Sequence, residues 1–193
     1  MKKRVLVFLL ALGLLVVTGC DLTKKEDTEK KTDEKKTVEP VKEEEKVKTT
    51  KFDSTDGSFT IEAPETWEQL DKGKLNSQAV IELGGKSEVK YTMLIADKAA
   101  NFTDFQAWYD IVVKKASESY GFDQTTGTDT TINGAKTKQF NFDLTSSGVK
   151  FYMRAYYIEG KTNYSQLYLW CPASDKAKMD SEFITIANSL IEK

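Results

Sequence analysis

The feature that most restricts the fold is a run of three alternating segments between Ala135 and Cys171, set off by compact turn signals. Asn133-Gly134 is a strong hairpin dipeptide, because both residue types tolerate the positive φ that a tight turn requires. Strands are expected over about Ala135–Leu144, Val149–Ile158 and Tyr164–Cys171, with turns at "TSSG" and "EGKT". Those turns imply a trial register. Leu144 then faces Val149, Phe142 faces Phe151 and Phe140 faces Met153; onward, Phe151 faces Trp170, Met153 faces Tyr168 and Tyr157 faces Tyr164. Side chains alternate with period two, so all of these share one face, an aromatic one that a helix should cover. On the other face Asp143 opposes Lys150, an opposite-charge pair that supports the register. That face grades from polar (Gln139, Asn141, Asp143) to apolar (Leu167, Leu169, Cys171), as partial cover by a second helix would explain.

Two helices are available for the task. "NFTDFQAWYDIVVKKASESYG" carries a Thr103/Gln106 capping box, an apolar stripe of Phe105, Trp108, Val112 and Ala116, and Gly121 as its stop. After Pro172, Ser174 is placed to cap a final helix with a core face of Met179, Phe183, Ala187 and Leu190. Earlier in the chain, "GSFTIEAPETW" starts with a strand over Ser58–Glu62 that breaks at Ala63-Pro64. "SQAVIEL" and "VKYTMLIA" read as two further strands joined by Gly84-Gly85.

Three stretches, "FTIEAPETW", "TTINGAKTKQF" and the closing strand and helix ending in "IANSL", resemble the PsbP/Mog1-like domain, which also occurs in bacterial lipoproteins. The resemblance covers about Ser58 to Leu190. It implies an α+β fold, an α/β/α sandwich on a mostly antiparallel sheet. It implies no single activity, since related domains serve as adaptors in different settings.

The N-terminus has a different character. Lys2, Lys3 and Arg4 precede an apolar run from Val5 to Val17, which is long enough for a signal peptide and too short to span a bilayer. It ends in "VTGC", which resembles the bacterial lipoprotein signal, or lipobox. The resemblance implies cleavage between Gly19 and Cys20, with a diacylglycerol on the Cys20 sulfur. Residues 1–19 are then the signal. Two acyl chains hold a protein at a membrane where one would not. Residues 20–51 follow as a Lys/Glu-rich tether without aromatic residues, too poor in apolar side chains to offset chain entropy, and expected to be disordered. The globular α+β domain is expected over 52–193. Asp21 after the cysteine resembles a signal for staying at the inner membrane, so the expected location is the extracytoplasmic face of the plasma membrane.

Function is less legible. The chain has no histidine, which removes Ser-His and Cys-His pairs and histidine metal sites. A net charge of -2 without a basic block argues against nucleic acid. Asp123 and Asp129 in "GFDQTTGTD" do not match a calcium-loop spacing, and no cofactor, metal site or catalytic constellation is expected. Lipidation of Cys20 would leave Cys171 unpaired, and its neighbours Leu167 and Leu169 favour a buried residue over a reactive thiol. Arg154 lies between Tyr152 and Tyr156 on one face, with Gln139 opposite. These three side chains are a possible ligand or partner surface, since the planar guanidinium suits a carboxylate or other anion. Packing over tyrosine rings or pairing with a nearby carboxylate is the preferred alternative. The expected function is a non-enzymatic binding or adaptor module with an envelope protein partner, held at the membrane through lipid on Cys20. A solute- or ion-binding accessory of a transporter is the second reading.

Overall fold

The computed structural model describes residues 47–193. The expected signal segment, Cys20 and most of the tether lie outside the described residues. Folding begins before the expected boundary at residue 52. Strand β1 (Thr49–Asp53) pairs antiparallel with β2 (Phe59–Pro64), with Thr49 opposite Pro64 and Lys51 opposite Glu62. Of its five residues only Phe52 is buried, so the strand has almost no apolar period and reads as tether.

The described residues form ten strands and two α-helices in all, in the order β1–β5, α1, β6–β9, α2, β10. One sheet holds β3 (Trp67–Gln69), β4 (Ala79–Gly85), β5 (Tyr91–Lys98), β6 (Thr128–Ile132), β7 (Ala135–Ser146), β8 (Val149–Glu159) and β9 (Asn163–Pro172), in the spatial order β3-β4-β5-β9-β8-β7-β6. A smaller sheet has the order β1-β2-β10, with β10 at Ile191–Glu192. Every neighbouring pair is antiparallel. The architecture is therefore α+β on a mostly antiparallel sheet, as the resemblance implied.

Each face of the large sheet has its own core. On one, Phe140, Met153, Tyr157 and Tyr168 pack beneath α1 (Phe105–Tyr120) through Trp108, Val113 and Ala116. On the other, Tyr152, Tyr156, Leu167, Leu169 and Cys171 meet α2 (Lys176–Asn188) through Met179, Phe183, Ile186 and Ala187. Phe59 and Ile61 of β2 close this second core. The polar-to-apolar gradient along that face follows the reach of α2.

The trial register is off by two residues in both hairpins. Ser147 and Gly148 alone form the first turn, at φ 50° and 79°, so Ser146 faces Val149, Leu144 faces Phe151 and Phe142 faces Met153. In the second, Phe151 faces Pro172, Met153 faces Trp170 and Tyr157 faces Gln166. A shift of two leaves every side chain on its expected face, because the strand period is two. Lys150 directly faces Thr145, and its ion pair with Asp143 is diagonal, at 2.8 Å.

The element ends differ in detail. Asp104, not Thr103, caps α1 by accepting the Ala107 N–H at 2.8 Å, and Gln106 donates to Asp110 instead. Gly121 stops the helix in the left-handed region, at φ 74°. Ser174 does not cap α2; a 3-10 turn over Ala173–Asp175 leads into Lys176 with no side-chain cap. Gly84-Gly85 lies inside β4 and the turn follows it, with the Gly85 N–H bonded to the Lys90 carbonyl. Only glycine fits at 85, because a Cβ there would collide with the Glu88 carbonyl oxygen.

Candidate functional site

Arg154 sits in the middle of β8, and Asn141 rather than Gln139 opposes it. Its side chain points to the α2 face and is only 6% exposed. All three kinds of guanidinium nitrogen have protein partners. Nε donates to the Tyr152 hydroxyl at 3.3 Å, Nη1 to the Tyr156 hydroxyl at 3.0 Å, and Nη2 to Asp180 Oδ1 at 2.8 Å. The Tyr152 hydroxyl donates to the same Asp180 oxygen at 2.6 Å, and Lys176 Nζ lies 4.6 Å above the Tyr152 ring. Tyr152 and Tyr156 are also buried. The trio is therefore closed beneath a helix by an ion pair, instead of forming a surface.

The electrostatics match that geometry. Burial pushes the Tyr152 hydroxyl up to about 12, and its bond to Asp180 acts in the same direction while Arg154 opposes it. Burial would ease a proton off Arg154, but the hydroxyls of Tyr156 and Tyr152 outweigh it and the guanidinium stays charged. Cys171 faces Tyr152 across β8 and β9 and is buried, as its apolar neighbours implied. Burial, with Asp175 and Asp180 nearby, pushes its thiol up to about 12, which leaves it a poor nucleophile.

A second ionic knot had no sequence signal. Lys90 is buried at the mouth of the β4–β5 turn, with Nζ 2.9 Å from Glu182 and 3.1 Å from Glu88. It also donates to the Thr66 hydroxyl at 3.1 Å and lies 5.0 Å above the Trp67 ring. The Trp67 indole N–H donates to Glu182 at 2.7 Å, so this knot fastens β3, the turn and α2 together. Its polar atoms are spent on one another.

The open chemistry lies at the opposite end of the sheet. A cavity of about 300 Å³ is lined by Asp104, Phe105 and Gln106 from the first turn of α1, by Asp129, Lys136 and Lys138 from β6 and β7, and by Glu159. Its two lysines are paired, Lys138 with Asp129 at 2.7 Å and Lys136 with Glu159 at 3.8 Å. Such a mixed-charge groove suits polar recognition through exchangeable ion pairs. Asp123 accepts the Thr125 N–H at 2.8 Å, and Asp129 is engaged separately by Lys138. Among the described residues no three His, Cys, Asp or Glu side chains gather to hold a metal.

No protein-family model matches the sequence, and no curated protein matches it. Among solved structures, the chain is similar to a protein of Bacteroides thetaiotaomicron, with TM-score 0.53 and 13% identity over 74% of this chain and 48% of that one. It thus spans about half the length of that protein. It is also similar to LpqN of Mycobacterium tuberculosis, a protein involved in cell envelope biogenesis, with TM-score 0.50 and 11% identity over 75% and 90% of the two chains. PsbP (CyanoP) of Synechocystis aligns with TM-score 0.44 and 11% identity, over 81% and 99%. At such identities the Bacteroides protein and LpqN share the fold with this chain.

Proposed function

We propose that the chain is an extracytoplasmic lipoprotein, anchored to the plasma membrane through Cys20, whose folded unit is a non-enzymatic binding or adaptor module of the PsbP/Mog1-like kind. The observation that carries this is "VTGC" directly behind the apolar run Val5–Val17, ahead of a folded unit that begins at Val47. The similarity of fold to LpqN, involved in cell envelope biogenesis, supports an envelope setting. Among the described residues no helix is long and apolar enough to cross a membrane, so a lipid on Cys20 would supply the hold. The groove between α1 and β6–β8 is the surface offered to a partner.

Replacing Cys20 by Ala is expected to move the protein from the membrane fraction to the soluble one and to abolish incorporation of labelled palmitate. A Cys20→Ala chain that still sediments with membranes would overturn the anchor. Crosslinking in cells followed by co-purification tests the adaptor role, with Lys136→Glu/Lys138→Glu expected to lose the partner. The paired lysines and carboxylates of the groove also favour one second reading, a zwitterionic solute held for a transporter. A ligand-induced rise in melting temperature, abolished by the same substitutions, would select it.

A further inference from the structure

The described chain starts at one end of the sheet, and that end has an unusual surface. The Lys48 carbonyl accepts the Glu65 N–H at 3.1 Å, and the Thr66 carbonyl accepts the Lys86 N–H at 2.9 Å. Lys48 and Lys86 thus bond to the adjacent residues Glu65 and Thr66, which places Val47 at the same end of the sheet as the β4–β5 turn that carries Val89. Next along the same end, Tyr91 opens β5 opposite Trp170, their ring centroids 5.4 Å apart. Beyond Trp170, β9 ends at Pro172 opposite Phe151, and the β7–β8 turn projects past it with Val149 at its base. Val47, Val89 and Val149 are 67%, 46% and 37% exposed, and they are three of the six exposed large hydrophobic side chains among the described residues. They sit on three separate segments at one end, whereas Ile111, Ile184 and Ile191 are spread over α1, α2 and β10.

Charge at this end is balanced. Lys178 pairs with Glu88 and Lys150 with Asp143. A surface of isolated valines, a half-buried Tyr–Trp pair and lysines with apolar stems fits a bilayer interface. Aromatic rings with one polar edge prefer the headgroup layer, and lysine heads stay in water while their stems lie along apolar surface.

We propose that this end of the folded unit rests on the lipid bilayer, with Val47, Val89 and Val149 entering the headgroup layer and Tyr91 and Trp170 at its boundary. The occupant is the membrane because the chain leading back to Cys20 leaves from this end; the proposal rests on the lipid-anchor reading above. Tethering keeps the bilayer at high effective concentration, so a weak contact suffices. The groove at the other end then faces away from the membrane, toward partners.

The test uses the chain from Cys20 onward, which contains the whole folded unit, coupled through the Cys20 thiol to a maleimide phospholipid in vesicles. Cys171 is buried and does not compete. Vesicles of phosphatidylcholine and phosphatidylglycerol are made with and without brominated acyl chains, which quench nearby tryptophan. Trp67 and Trp108 are buried and Trp67 also lies at this end, so the Trp170→Phe chain is what assigns the quenching to Trp170. The expected result is quenching that disappears in Trp170→Phe and in Val47→Asp/Val89→Asp/Val149→Asp, with every variant still vesicle-bound. The substituted valines are exposed, so the melting temperature should stay within a few degrees; Val89→Asp alone, expected to reduce the quenching, is the smaller perturbation. A coupled wild-type chain that floats with the vesicles and shows no quenching overturns the proposal, as does quenching unaffected by the triple substitution. Coupling bypasses natural lipidation, so a failed palmitate label in cells would refute the anchor separately.

Discussion

Removing the carboxylate of Asp180 is the sharpest test of how the Arg154 cluster is held. One oxygen of Asp180 accepts both Arg154 Nη2 at 2.8 Å and the Tyr152 hydroxyl at 2.6 Å. In Asp180→Ala the guanidinium remains beneath α2 with only two tyrosine hydroxyls, and Tyr152 must turn to Asn141 Oδ1, now 3.3 Å away. Breaking a buried ion pair from one side costs about 3–5 kcal/mol. Asp180 is 35% exposed, so solvent screens part of the pair and the expected cost falls to about 2–3 kcal/mol. For a folded unit of this size that is a drop in Tm of about 5–10 °C. Asp180→Asn keeps an acceptor and should cost about 1 kcal/mol. Replacing both partners, as Arg154→Met/Asp180→Leu, should recover most of the loss, because an apolar pair needs no compensation. Urea unfolding of Arg154→Met, Asp180→Leu and the double variant, followed by tryptophan fluorescence, closes the cycle. A cost below about 0.5 kcal/mol for Asp180→Ala, or strictly additive single effects, would show that the pair does not hold Arg154.

Cys171 should resist thiol reagents in the native protein at pH 8 and react once unfolded; fast native labelling would contradict its burial. Its thiol titrates near 12 when folded and at about 8.5 when unfolded, so its contribution is complete below about pH 8.5 and declines by up to about 1.4 kcal/mol per pH unit above that. Cys171→Ala should flatten that part of the alkaline stability curve. Glu192 binds the β8–β9 turn through Thr162, Asn163 and the Lys161 N–H, and these bonds outweigh burial to hold its carboxyl below the usual range. The stability it adds is present above its unfolded pKa, about 4.3, and is lost as pH falls through the folded value. Glu192→Gln is therefore expected to cost about 1–2 kcal/mol at pH 7 and little near pH 2, and an equal cost at both would refute the linkage. Glu82 is buried in β4 and accepts the N–H groups of Gly73, Leu75 and Asn76, which shapes the β3–β4 connection. Glu82→Ala should cost about 3 kcal/mol and raise amide hydrogen exchange across residues 71–78; unchanged exchange there would be the contrary result.

How much was legible follows the range of the interactions. Alternation is a local property, so the faces of β7, β8 and β9 were assigned correctly even though both hairpins were paired two residues out of register. The distinction between a four-residue and a two-residue turn at "TSSG" depends on the positive φ of Ser147, which no residue type there demands. β1, β3 and β10 carried too few apolar residues for a period, and they form because neighbouring strands offer their edges. Asp180 lies beside Met179 on α2 and reads as an ordinary solvated charge; only the docking of α2 over β8 makes it the partner of Arg154. The same holds for Lys90 and Glu182, separated by 92 residues and joined at 2.9 Å. By itself, then, the sequence determined the two α-helices, the longer strands with their faces, and the helix stop at Gly121, because each rests on neighbouring residues. Register, strand edges and the partner of every buried charge were decided by tertiary structure, since those depend on which distant surface each side chain is pressed against.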